Sequence, residues 1–279
     1  MQKLRNHSRL VILIAALTIN TTVVSAEDSA SLIYQASGIA SQVNSFPATI
    51  ISSLHYAQAH EQAGKVISKD DLREISSMVN KSFDEELARG VALNLIHENL
   101  SAADQKNIIT WLQSPLGKKI TQIEEMLGTD QDMEAMDQFL ASMKKKPPTA
   151  EYHKAIAQLT KAMYSQEITG DLAIGVMKMT LSCMLAASGA LTEESFQERV
   201  ASIDEQRESF ILSSSAQIQE FILFTYRGLN QDELQKYVAF NTSASGMQYN
   251  KAVYDVLSTI LARSSDRFIQ SLYVWSANR

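Results

Sequence analysis

Trp111-Leu112-Gln113-Ser114-Pro115-Leu116-Gly117-Lys118-Lys119-Ile120 is the stretch that decides the architecture. An amphipathic helix running into Trp111 has to end near Gln113. Ser114 can cap a new helix, and Pro115 fits its first turn, where the missing N–H is not needed. Gly117 then lies inside the new helix, where glycine costs about 1 kcal/mol relative to alanine. A glycine kept there implies close approach of another helix backbone. Further along, Phe240-Asn241-Thr242-Ser243-Ala244-Ser245-Gly246-Met247 repeats the aromatic, the serine and the glycine at the same spacing and drops the proline. The helix break therefore does not depend on proline. Trp111 and Phe240 are expected to be buried core anchors.

Outward from these two corners, residues 95–143 lie over residues 224–272 at a constant offset of 129 without a gap. Leu100 meets Leu229, Asp104 meets Glu233, Leu127 meets Val256 and Phe139 meets Phe268. Gly128 meets Leu257 and reads as a tolerated glycine inside one long helix. Upstream, Gly64-x-x-x-Ser68 parallels Gly189-x-x-Thr192. Lys146-Pro147-Pro148-Thr149 separates the halves, since consecutive prolines cannot continue a helix. The expected organisation is all-α: two tandem diverged helical repeats, each a small helical bundle, over 27–146 and 151–279 with a linker at 147–150.

Helical spacing runs through the chain. Leu72, Ile75, Val79, Phe83, Leu87, Val91 and Leu95 step by three or four. Phe196, Val200, Ile203, Phe210, Ser214, Ile218 and Phe221 nearly do so, with Arg207 in the gap. Ser45-Phe46-Pro47 suggests a helix start with proline near its first position. Gly64 and Gly189 read as C-caps. Ser68 with Asp71, Thr192 with Glu194, and Asn230 with Glu233 read as capped starts.

The run Trp111…Ser114-Pro115-Leu116-Gly117-Lys118-Lys119, on a helical background, resembles the exported bacterial family catalogued as domain of unknown function 2059. The resemblance is strongest over about residues 83–125. It recurs over about 212–254, where Ala244 replaces the proline and Met247 the first lysine. It implies a helical protein of the periplasm of a Gram-negative bacterium and carries no activity with it.

Residues 1–26 have the order of a secretory signal peptide: basic Lys3, Arg5 and Arg9, an uncharged Leu10–Leu17 run, then Val24-Ser25-Ala26. Cleavage between Ala26 and Glu27 is expected; the alternative is an uncleaved N-terminal anchor. The chain holds 25 Lys and Arg against 31 Asp and Glu, a formal charge of −6. Removing the basic leader makes it more acidic, which argues against binding nucleic acid or anionic membranes. Lys144-Lys145-Lys146 is the longest basic run and sits by the linker. The single cysteine, Cys183, allows no internal disulfide and reads as a buried small hydrophobe.

No catalytic, cofactor or metal motif is complete. His60-Glu61 and His97-Glu98 lack the second histidine of a zinc helix, and His55 and His153 have no partners in sequence. Asp130-Gln131-Asp132-Met133-Glu134 has Ala135 and Ala141 where a calcium loop needs glycine and glutamate. Ser142-Met143-Lys144-Lys145 stands without companion motifs. Binding thus outweighs catalysis, and no cofactor is expected. Leu172–Ala187 is apolar almost all round, interrupted by Lys178, and the apolar run is too short for a membrane span. Met163, Met177, Met179 and Met184 in and near it are candidate lining of a groove for an apolar ligand or an exported protein client. The alternative is a hydrolase whose carboxylates converge only in the fold.

Overall fold

A computed structural model describes residues 26–59, 67–126 and 130–278. The signal segment, His60, Gly64, Leu127 and Gly128 lie outside the described residues. Among those described, the chain is all-α, with twelve helices and no strand. They are α1 (Ala26–Ala36), α2 (Ile39–Ala59), α3 (Lys69–Ser82), α4 (Glu85–Asn99), α5 (Ala102–Leu112), α6 (Pro115–Glu125) and α7 (Asp130–Lys145). After Pro147-Pro148 come α8 (Ala150–Ala162), α9 (Ser165–Ala187), α10 (Glu193–Thr225), α11 (Gln231–Asn241) and α12 (Ala244–Ala277).

Both corners form as the sequence predicts, at matching positions. α5 ends at Leu112 and α11 at Asn241; Ser114 caps α6 and Ser243 caps α12, each accepting from the glycine N–H three residues on. The backbone that approaches each glycine is that of the helix just left. A Cβ on Gly117 would sit 2.1 Å from the Trp111 carbonyl oxygen, and one on Gly246 1.8 Å from that of Phe240. Only glycine permits so tight a turn between helices.

Other local signals differ in outcome. Ser68 and Asp71 close a capping box, as do Asn230 and Glu233. Thr192 caps α10 with Glu194 in its first turn, and Ser195 closes a capping box. Gly189 (φ +71) ends α9 in a Schellman turn, with Ala190 N–H on Leu185 O and Gly189 N–H on Ala186 O. Pro47 does not start a helix: α2 begins at Ile39, behind Gly38 (φ +73), and carries Pro47 in its interior. The helix continues because Ile39, Val43, Phe46, Ile50 and Leu54 form one buried stripe on both sides of the proline. α6 ends at Glu125, with Met126 as its C-cap; Gly128, read from the sequence as lying inside one long helix, is outside the described residues.

The two cores do not divide at the linker, so the halves are not separate bundles. α12, roughly 50 Å long at 1.5 Å per residue, leaves its own half and packs on α2, α3, α4 and α5 as well as α9. The larger core joins Ile33, Ile50, Ile75, Ile96 and Ile108 of α1–α5 to Met179 and Cys183 of α9 and Val256, Ile260 and Phe268 of α12. The smaller core joins Ile156 and Leu159 of α8, Ile222 and Leu223 of α10 and Leu234 and Val238 of α11 to Ile120 of α6, with Phe139 and Met143 of α7 against it. Each half thus covers the other with its C-terminal helices. The reason is area: the apolar stripe of α12 is buried more completely against α2–α5 together with α9 than against α9 alone.

α9 spans 23 residues, so it is longer than the apolar run Leu172–Ala187 and long and apolar enough to cross a membrane; 39% of its most apolar window is buried in the fold. Its charges meet partners on its neighbours. Lys178 pairs with Asp204 (2.6 Å), and Asp171 takes a bond from Arg207 Nε (2.6 Å) and from Ser258 Oγ (2.9 Å). Arg207, the gap in the apolar series of α10, is there to meet Asp171.

Candidate functional site

The two corners bring five aromatic rings from both halves into one continuous array. Trp111 stacks on Phe240 (centroids 4.5 Å apart, 7° between planes) and lies parallel to Tyr237 (6.0 Å, 2°). Tyr237 meets Tyr226 edge-on at 5.3 Å, and Phe240 meets Tyr249 at 6.0 Å. Trp111 and Phe240 pack against the core as the sequence suggested, but neither is fully enclosed. Each is half-buried, because each serves as the other's cover.

Beside this array lies a cavity of about 210 Å³ where α6, α9, α10, α11 and α12 meet the α1–α2 turn, the start of α2 and the α8–α9 junction. Its wall includes Glu124, Met163, Tyr226, Tyr237, Tyr249 and Asn250. Glu124 is placed by the helix period: it follows buried Ile120 by four residues and buried Gly117 by seven, so it falls on the inward stripe of α6. Its Oε1 accepts from Tyr226 Oη at 2.6 Å and from Tyr237 Oη at 2.9 Å. The same two hydroxyls lie 3.8 and 3.5 Å from Met163 Sδ. Asn250 and Asn241 are both buried and bond each other at 2.9 Å, and Asn241 donates to Tyr237 O, which holds α11 against α12 at the cavity edge.

The electrostatics are one-sided. Burial pushes the Glu124 carboxyl above its ordinary range, the two phenol donors oppose this, and the neighbouring Glu125 adds to it. Among the described residues, no ion pair involves Glu124. The hydroxyls of Tyr226, Tyr237 and Tyr249 are all pushed up, first by burial and then by the Glu124 charge. They remain protonated donors throughout the physiological range. Lys119, one turn earlier on α6, is committed to Glu233 at 2.7 and 2.8 Å.

A second groove, about 520 Å³, lies among α9, α10 and α12. Its charged rim includes Asp171 paired with Arg207, Lys178 paired with Asp204, and the exposed Asp266. The Glu124 cavity differs in carrying a single formal charge on its wall.

No family model matches the chain, and neither a curated protein nor a solved structure matches it. The resemblance noted at Trp111–Lys119 thus rests on that motif alone.

The methionines singled out in sequence do not come together. Met163 lines the Glu124 cavity, Met179 is fully buried with Ser265 Oγ on its sulfur at 3.6 Å, Met184 packs against the larger core, and Met177 is half-buried elsewhere on α9. Of the four, Met163 alone borders that cavity. Cys183 is buried, and burial raises its thiol far out of the reactive range. His55, His97 and His153 are exposed, and no group able to hold a metal occurs among the described residues. Glu124, Tyr226, Tyr237 and Tyr249 are not singled out by any sequence motif. The readable signal is a glutamate on the inward stripe of α6, four residues after Ile120.

Proposed function

We propose that this is an exported, non-catalytic binding protein of the periplasm whose ligand site is the cavity at Glu124. One observation carries the reading: a carboxylate held by two phenols at the edge of a cavity, with no cation among the described residues to neutralise it. Glu124 is partly buried, and a carboxylate drawn out of water without a counter-charge carries a desolvation cost that an occupant of the cavity would offset. The wall carries one carboxylate and no histidine, whereas hydrolysis by a carboxylate pair needs two converging groups. That favours binding over the hydrolase reading. The dispersal of Met163, Met177, Met179 and Met184 favours a small molecule over an extended apolar client. Export is supported by the basic, apolar, small-residue order of residues 1–26.

The matched corners, their capping serines and the reciprocal covering of the halves also support descent of both halves from one duplicated unit. In this reading α3 and α4 correspond to the unbroken α10, and α6 and α7 to the unbroken α12.

The test is native mass spectrometry of protein recovered from the periplasm, with Thr169→Trp as a variant that fills the cavity. The expected result is a small molecule retained by the wild type and lost from the variant. An intact mass equal to the bare chain in both, with unchanged melting on adding periplasmic small-molecule extract, overturns the reading.

A further inference from the structure

We propose that the Glu124 cavity recognises a small organic ammonium ion, with the carboxylate as its counter-charge and the tyrosine rings as its wall. This rests on the reading of that cavity as a ligand site and names the chemistry of the ligand.

Three observations converge on a cation. First, the cavity wall contributes one formal charge, and it is negative. The other ionisable side chains bearing on Glu124 among the described residues are Glu125, of the same sign, and the hydroxyls of Tyr226, Tyr237 and Tyr249. The remaining elements at the wall supply neutral groups: Ser37 and Gln42 from the α1–α2 region, Met163 before α9, and Ser165 and Thr169 on α9. Second, both nearby phenols are spent on Glu124 Oε1. Their donors stabilise the charged carboxylate without neutralising it, so the site keeps its negative potential. Third, three of the wall side chains are tyrosines and a fourth is methionine. Aromatic faces attract an ammonium through the ring quadrupole, and thioether sulfur is a soft contact for its methyl or methylene groups. A hydrated metal ion fits less well, because oxygen-ligating sites need several carboxylate or carbonyl donors and this wall offers a single carboxylate. An anion or a neutral hydrocarbon would leave Glu124 repelled or unpaired.

The charge also sets a pH dependence. The carboxyl is pushed up by burial, so protons compete with the cation in a window above the ordinary glutamate value. Affinity for a cation should rise with pH through that window and level off above it.

The experiment is titration calorimetry of the full purified protein with choline and with its uncharged carbon isostere, in which carbon replaces the quaternary nitrogen. Choline is expected to bind at least tenfold more tightly than the isostere and to raise the melting temperature. Glu124→Gln should weaken choline at least tenfold and leave the isostere unchanged. If that variant fails to fold, the comparison of the two probes on the wild type, repeated across pH, decides alone. Equal affinity for the two probes overturns the ammonium assignment while leaving the cavity a ligand site. The same holds if neither probe binds but an uncharged molecule is retained from the periplasm. If neither probe binds and nothing is retained, the ligand-site reading falls with it.

Discussion

The corner at Gln113–Gly117 and the corner at Thr242–Gly246 are nearly the same object, yet the helices that leave them have different fates. In both, a serine caps the new helix, accepts from a glycine N–H, and lets that helix start against the carbonyl of the preceding aromatic residue. α6 then stops at Glu125, whereas α12 runs unbroken to Ala277. The corner is a local device, set by a handful of side chains within one turn of each other. The length of the departing helix depends instead on its neighbours. α12 has four helices of the other half, besides α9, to bury its apolar stripe against, and α6 buries little beyond Gly117 and Ile120. Glu124 falls on the inward stripe of the shorter helix, so the site arises where the two halves differ.

The comparison breaks most sharply at the glycines. Gly246→Ala and Gly117→Ala should each cost about 3 kcal/mol or more, since the added methyl meets rigid backbone. Gly246, with the closer contact, should lose more; denaturant midpoints with unchanged slopes measure this. Equal stability of wild type and both variants would mean that the corners are not tight joints.

The aromatic pair comes next. Emptying a fully buried aromatic site costs about 3–5 kcal/mol. Trp111 and Phe240 are half-buried, so each alanine variant should fall below that, near 2 kcal/mol. Because they stack on each other, the double variant should be less destabilised than the sum, with a coupling of about 0.5–1.5 kcal/mol. Additive losses would show that the stack contributes only buried area.

Glu124 gives a pH signature that nothing in the second corner should share. A carboxyl whose folded value is raised binds its proton more tightly when folded. Stability is therefore greatest below the ordinary glutamate range and falls as pH rises from that range through the raised value, then levels off. Glu124→Gln removes this dependence. The variant should match the wild type at low pH and be the more stable of the two above the window, by thermal melting at a series of pH values.

The smallest effects belong to the caps. Ser114→Ala and Ser243→Ala should each cost about 1 kcal/mol. Similar losses are expected, because Ser114 accepts from Gly117 N–H as Ser243 accepts from Gly246 N–H.

What the sequence determined by itself was local. Ser114, Pro115, Gly117, Ser243 and Gly246 act on backbone groups within three or four residues, so their spacing alone announced two helix corners and the all-α class. Gly189, Ser68 and Asn230 were legible for the same reason. Pro47 points the wrong way because the apolar stripe of α2 outweighs a local helix breaker, and packing is not written next to the proline. Trp111 and Phe240 were readable as important, but not as partners, since 129 residues separate them. Only the tertiary structure decided which helices cover which core and where a lone carboxylate meets Tyr226, Tyr237 and Tyr249. The physical reason is that burial depends on area shared between distant segments, and a charge becomes conspicuous only once the fold has removed water from around it.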